Sequence, residues 1–276
     1  MFRNYSMTSG SAAYVHKITA VVVTGGSSGI GKTFIEQIFK LGSEIQFCNL
    51  SRKKPEFPAL TGLKLEHFPC DLTDKSQIEV VFPELDAFLA QHGGDGEILL
   101  INNSGFGCYG SAQDLEIGRE LEMLSLNINA LVHLTGLMLP RMLKQGGVVL
   151  DVASTAAFQP TPQLSAYGAT KAFVLHWNLA LGDDLKGTKV RTLCLCPGPT
   201  ATNFFKAAGF DESPLPNFGQ TAEQVVDETL RALNKGKRLV VTGFSNKLIA
   251  FFSSRFLSKP MVTGISGWIL RKVRQQ

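Results

Sequence analysis

Short, almost continuously apolar runs alternate with longer stretches of helical period along most of this chain. The apolar runs lie at 18–25 (ITAVVVTG), 44–51 (EIQFCNLS), 63–70 (LKLEHFPC), 97–103 (EILLINN), 147–154 (GVVLDVAS), 189–196 (KVRTLCLC) and 238–243 (RLVVTG). Runs that are apolar at nearly every position, rather than at every second one, predict strands covered on both faces, as in a parallel sheet. Between them, 32–41, 75–91, 115–144 and 166–185 have the period and length of crossover helices. The spacing continues to residue 243 without a linker rich in Pro, Gly or Ser. The pattern therefore predicts one doubly wound α/β domain over 17–243, built on a seven-stranded parallel sheet. A length of 276 residues suits one such unit and suffices for a large core.

Both ends depart from the pattern. Residues 1–16 are small and polar and lack the apolar core of a secretory signal, so a flexible N-terminal extension is expected, with Met7 as a second candidate start. No run reaches the ~20 apolar residues of a bilayer span. Residues 244–276 mix Leu248, Ile249, Phe251, Phe252, Phe256, Leu257, Ile265, Trp268 and Ile269 with Lys and Arg, and are read as a helical C-terminal extension. Charge sharpens that boundary. The first 228 residues carry 17 basic and 23 acidic side chains, whereas ten Lys/Arg and no carboxylate follow Glu228. Packing on the domain or oligomerisation, as a homodimer or homotetramer, is the leading reading of this extension. Peripheral membrane contact is the second. Nucleic-acid binding is set aside, because no reader motif accompanies the charge.

Five cysteines form no CxxC pair and no zinc-ligand spacing, so no metal is expected. Cys194 and Cys196 would share one face of a strand as plain buried thiols. That usage points to a reducing, cytoplasmic setting, with membrane association left open by the basic tail.

The first strand runs into Thr24-Gly25-Gly26-Ser27-Ser28-Gly29-Ile30-Gly31 and then a helix. Glycines there let the backbone approach a pyrophosphate, while free N–H groups and the helix dipole face its charge. Gly25, Ser27, Ser28, Gly29, Ile30 and Gly31 are the expected contacts. Glycine spacing alone is weak, but strand before and helix after is the context that supports it. The second strand ends in Asn49-Leu50-Ser51-Arg52-Lys53-Lys54, without the carboxylate that would repel a 2′-phosphate. Ser51 and Arg52 can hold that phosphate, which favours NADP(H) over NAD(H). The plainer alternative is a solvated basic loop.

Tyr167 and Lys171 stand four apart, on one face of a helix. A free phenol titrates near ~10, too high for acid–base work at neutral pH. A neighbouring ammonium, with the charge of an oxidised nicotinamide, is expected to bring it down. Ser154 lies thirteen residues upstream, at the end of a strand, where ligands of such sheets bind.

With these pieces in place, the chain resembles the short-chain dehydrogenase/reductase family over roughly 18–243. The matching pieces are TGGSSGIG (24–31), Cys70-Asp71-Leu72-Thr73, Asn102-Asn103-Ser104-Gly105, Asn127 in LNINA, Ser154, YGATK (167–171) and PGPTAT (197–202). The resemblance implies a Rossmann-type fold and a catalytic set of Asn127, Ser154, Tyr167 and Lys171. It implies that Asp71 meets the adenine amino group with Leu72 beside the ring, and that Asn103, Ser104 and Gly105 line the adenosine side. Lys171 would also hold the nicotinamide ribose. Asn127, at a helix irregularity, would anchor a water that relays protons. Pro197, Gly198 and Thr200 would contact the nicotinamide half, and Thr202 its phosphate or carboxamide. Ser104 departs from the alanine usual in the family.

In that family the segment after PG usually forms a lid over the substrate; here it carries Phe204, Phe205, Phe210 and Phe218, which either make an apolar cover, with Phe158, Pro160 and Leu164 adding to the same wall, or pack the lid onto the core. The expected activity is hydride transfer between NADP(H) and a hydrophobic carbonyl or alcohol. The rival reading is a nucleotide-binding sensor or scaffold that keeps the fold without turnover. His92, His133 and His176 lack partners at useful spacing and are not assigned a role.

Overall fold

The computed structural model describes residues 15–111, 113–202, 204 and 219–274. The strands are β1 (Ile18–Thr24), β2 (Gln46–Ser51), β3 (Leu65–Pro69), β4 (Glu97–Asn102), β5 (Gly147–Val152), β6 (Val190–Cys196), β7 (Thr200–Ala201), β8 (Gln220–Thr221) and β9 (Leu239–Val241). The α-helices are α1 (Gly29–Leu41), α2 (Lys75–His92), α3 (Ile117–Leu124), α4 (Leu131–Gln145), α5 (Ser165–Asp184), α6 (Ala222–Asn234), α7 (Phe244–Arg255) and α8 (Lys259–Arg274). Seven strands pair in the order β3-β2-β1-β4-β5-β6-β9, every pair parallel, and β7 with β8 makes a separate two-stranded ribbon. Each expected strand is present. Connections run outward in opposite directions from β1 and β4, so a crevice opens between them at the carboxyl edge.

The continuous apolar runs are explained by helices on both faces. Val21, Val23, Leu99 and Ile101 pack against Phe34, Ile35 and Ile38 of α1 and Val225, Val226 and Leu230 of α6. Val22, Leu100 and Val149 face the other way, onto Ile78, Leu85 and Leu89 of α2 and Leu134, Met138 and Met142 of α4. Each such side chain contributes roughly 1.5–3 kcal/mol of transfer free energy. Thr221 and Gln224 form a reciprocal capping box that starts α6, a helix the strand-and-crossover pattern does not mark.

One expectation needs correction. Residues 117–145 run as a single helix, long and apolar enough by length and composition to cross a membrane. Its apolar residues are interleaved with polar ones such as Asn127 and His133, so no uninterrupted run announces it. Leu134, Met138 and Met142 are fully buried on the sheet, which makes this a core helix. Inside it, Ser125–Ala130 is wound as a π-helix.

The two last helices are tied down at named points. Glu228 of α6 accepts from Gln220 Nε2, the Gly243 N–H and Lys247 Nζ at 2.9, 3.1 and 2.9 Å, fixing the entry to α7. On α8, Ser266 Oγ donates to the Pro160 carbonyl at 2.9 Å, and Tyr109 donates its hydroxyl proton to the Leu270 carbonyl at 3.0 Å.

Candidate active site

At the carboxyl edge, a cavity of about 800 Å³ runs from the β1–α1 turn to α7 and α8. The turn is built so that its backbone forms the wall. Gly25 and Gly29 take φ of +70° and +54°, where a side chain would strain the chain. The Gly25 N–H donates to the Leu50 carbonyl at 3.0 Å, and the Gly26 N–H to Asn49 Oδ1 at 2.7 Å. Asn49 is fully buried on β2, so the turn is pinned to the neighbouring strand. Ser28 caps α1 without any side-chain hydrogen bond, leaving the helix start and its positive dipole end beside the cavity. Those features fit the pyrophosphate of a dinucleotide. Asn103 and Ser104 donate their N–H groups to Thr24 Oγ1, each at 2.9 Å, and carry β4's end against the turn.

Ser27, Ser28, Gly29, Ile30, Gly25, Ser51, Arg52, Asp71, Leu72, Asn103, Ser104, Gly105, Ser154, Tyr167, Lys171, Pro197, Gly198, Thr200 and Thr202 all line this one cavity. Of the residues expected at the site, Gly31 and Asn127 do not. Gly31 is the third residue of α1, and Asn127 lies behind the loop that follows β4. At the adenosine end, Arg52 reaches out largely exposed, its Nη1 3.7 Å from Asp71 Oδ2. Ser51 differs from expectation: its hydroxyl donates to the Lys53 carbonyl at 2.7 Å and accepts from Asn49 Nδ2. Its proton is thus already engaged, and the hydroxyl shapes the loop rather than offering a donor.

Tyr167 and Lys171 are both buried, one helical turn apart on α5. Lys171 Nζ donates to the Val152 carbonyl at 2.8 Å and stands 5.8 Å from the centre of the Tyr167 ring. Burial pushes Tyr167 up to about 12, and its hydrogen bond with Ser154 pulls back only in part. Desolvation of the phenolate is the largest influence on Tyr167 in the protein alone; the lowering expected from the sequence joins the lysine to the charge of an oxidised nicotinamide. Burial also brings Lys171 down to about 8. Ser154 caps the short 3₁₀ turn Thr155–Phe158, its Oγ accepting from the Ala156 N–H at 3.1 Å.

Asn127 lies inside the π-wound segment. Its Nδ2 donates to the Phe106 carbonyl at 2.9 Å and to Thr170 Oγ1 at 3.1 Å, and its Oδ1 accepts the Phe106 N–H at 3.1 Å. It joins the loop under Gly105 to the helix bearing Tyr167 and Lys171.

Beneath the site is a polar cluster the sequence reading missed. Asp151 is fully buried and accepts from Asn102 Nδ2 at 2.7 Å and Asn178 Nδ2 at 2.8 Å. A carboxylate inside the apolar run VVLDVA was the available signal; Asn178, far along a helix, gave none. Burial raises Asp151 from 3.8 to about 6, against the pull of both amides and Lys171. A carboxyl raised on folding binds protons more tightly when folded, so its contribution is full below about pH 4 and lost as pH climbs through about 6. At 1.36 kcal/mol per unit this amounts to roughly 3 kcal/mol. Asp151→Asn should therefore gain stability on the wild type between pH 4 and 7, with Asn178 turning its partnerless Oδ1 toward the new amide. Melting temperature against pH checks it: a constant difference between the two proteins across that window rejects the titration.

The far wall of the cavity is apolar, formed by Phe106, Leu126, Leu164, Phe204, Ile249 and Leu270. Phe204 packs on Tyr167 with ring centres 5.3 Å apart. Leu164 is where the sequence places it, but Phe158 packs with Val174 and Leu175 of α5, and Pro160 serves α8 through its carbonyl. Phe205, Phe210 and Phe218 lie outside the described residues. Ile249 and Leu270 come from the C-terminal helices, which the reading kept apart from the site. Arg119 also lines the cavity, its guanidinium 3.9 Å from the Phe106 ring centre. His176 is exposed and remote from this chemistry.

Residues 19–213 match the family model described as short chain dehydrogenase. An uncharacterized oxidoreductase of Bacillus subtilis (strain 168), DltE, is 29% identical over 231 residues, spanning 79% of this chain and 85% of its own. A short-chain dehydrogenase from Sphingobium yanoikuyae, solved in complex with NADPH, aligns with a TM-score of 0.74 and 26% identity over 86% of this chain and 94% of that one. A short chain dehydrogenase/reductase from Burkholderia phymatum, solved in complex with NAD, aligns with a TM-score of 0.72 over 85% and 92% of the two chains. At 21% identity the last likeness speaks to the fold alone.

Proposed function

The chain belongs to the short-chain dehydrogenase family and is an oxidoreductase of CH–OH or carbonyl groups; from that premise we propose an NADP(H)-dependent carbonyl reductase acting on hydrophobic substrates. The observation that carries it is the convergence of Ser154, Tyr167 and Lys171 with the β1–α1 turn and an apolar wall in one cavity. When bound, the dinucleotide supplies the hydride acceptor or donor. Gly25, Ser27, Ser28, Gly29 and Ile30 hold its pyrophosphate against the start of α1, Gly31 lets the turn lie close to the helix behind them, and Asp71, Leu72, Asn103, Ser104 and Gly105 stand on the adenosine side. Pro197, Gly198, Thr200 and Thr202 border the opposite half. Tyr167 gives its phenolic proton to the substrate oxygen, or takes one in reverse, while Ser154 donates to the same atom. Lys171 holds positive charge beneath them, and Asn127 anchors a water that links Lys171 to solvent for proton return.

The cofactor reading rests on Arg52 at the cavity rim and on a β2 end with no carboxylate. Solved relatives with NADP(H) and with NAD both share the fold, so a direct measurement decides. A panel of hydrophobic ketones, aldehydes and 3-oxoacyl thioesters should consume NADPH, followed at its absorbance band. Arg52→Gln should weaken NADPH tenfold or more relative to NADH, about the worth of one charge-assisted hydrogen bond. Equal weakening of both dinucleotides rejects the NADP(H) assignment; absence of turnover with every carbonyl supports the sensor reading instead.

A further inference from the structure

The C-terminal helices turn an unusually apolar and basic face to solvent. On α7, Phe251, Phe252 and Phe256 at its C-cap touch one another, ring centres 5.5 to 5.6 Å apart, yet are 47%, 51% and 65% exposed. Phe244 and Leu248 extend that stripe at helical spacing. On α8, Met261, Ile265 and Trp268 repeat it at i, i+4 and i+7, and all three are exposed. The inner face of α8 is fixed by Val262, Ser266 and the bonds to Pro160 and Leu270, so the outer stripe is presented on an anchored helix. Exposed apolar patches of this kind mark surfaces that are covered by something.

Charge identifies the cover. From residue 229 to the end there are ten Lys/Arg and no acidic side chain, and Arg255, Lys259 and Arg271 lie within these two helices beside Lys247, which is paired with Glu228. A second copy of the chain in a symmetric contact would set this face against itself, cation against cation. An anionic lipid surface answers both properties. Cations meet headgroups while Phe and Trp side chains enter the boundary with the acyl region. We propose that α7 and α8 dock this protein onto an anionic membrane surface. Ile249 and Leu270 of the same helices line the cavity, so docking brings the apolar wall of the site close to the bilayer.

The test uses the full chain, co-sedimented with phosphatidylcholine vesicles and with vesicles of phosphatidylcholine and phosphatidylserine. Binding is expected only to the mixed vesicles, and it should fall steeply with added salt. Arg255→Gln and Lys259→Gln should each weaken it about fivefold, the share of one cation near such a surface. Phe251→Ser, Phe252→Ser and Phe256→Ser combined should abolish it. In a Trp177→Phe background, Trp268 emission should move to shorter wavelength on the vesicles. No binding to mixed vesicles, or binding indifferent to both sets of changes, overturns the proposal. So does a dimer in sedimentation that the triple Ser variant converts to monomer, which would give this face to a second copy. Binding is read without turnover, so its failure is distinct from failure of the reductase reading.

Discussion

Tyr167→Phe is expected to lower kcat by about 10²- to 10⁴-fold while dinucleotide affinity stays within a few-fold of the wild type. The substitution removes one oxygen and nothing else. The ring keeps its place against Phe204 and in the cluster with Phe106, Cys108 and Met123. Ser154 loses a partner but retains the Ala156 N–H as donor to its Oγ. Folding should therefore survive, and the loss should appear in the chemical step. NADPH consumption in a single turnover, set beside NADPH affinity from quenching of protein fluorescence, separates the two quantities. A fall of less than tenfold would remove Tyr167 from the proton-transfer role.

Gly31→Ala is expected to weaken dinucleotide binding by a factor of ten or more, although alanine is the better helix former. Propensity alone favours the change by up to about 1 kcal/mol within α1. Geometry opposes it. A Cβ at Gly31 would lie 2.6 Å from the Gly25 carbonyl oxygen and 2.5 Å from Asn103 Nδ2. Both belong to the cavity frame, and Asn103 Nδ2 already donates to the Thr24 carbonyl at 3.0 Å. Relief requires the turn to move away from the helix start, and the backbone wall moves with it. Affinity for NADPH and the melting temperature without ligand should diverge, the first falling sharply and the second changing little. Unchanged affinity would show that the turn yields without cost.

The sheet and the main crossover helices were legible because strands buried on both faces leave continuous apolar runs that few other structures require. The nucleotide turn was legible for a related reason, since glycines at Gly25, Gly29 and Gly31 answer backbone constraints that are local in sequence. Tyr167, Lys171 and Ser154 were readable as spacing. What spacing cannot carry is environment. Whether an ammonium lowers a neighbouring phenol depends on burial and on the Val152 carbonyl, which lies nineteen residues from Lys171. Asn49 and Asn178 act through partners on distant strands, and no local pattern marks them. Ile249 and Leu270 reach the cavity only because α7 and α8 fold back across the sheet edge. Helix 117–145 was legible nearly end to end, as 115–144, whereas nothing in its apolar spacing marks the π-wound turn inside it.

The π-wound segment Ser125–Ala130 makes chain length itself a functional parameter. A π turn accommodates one residue more than the α turn it replaces, and each residue advances a helix by about 100°. Losing any one residue between 125 and 130 would let the segment relax to α, and the helix on either side would keep its facing, so Leu134, Met138 and Met142 would stay on the sheet. What would go is the extra residue in the turn that carries Asn127 to Phe106 and Thr170. The core accepts either count of residues, whereas the brace beside the site depends on the longer one. In this stretch, apolar identities can drift while the number of residues cannot.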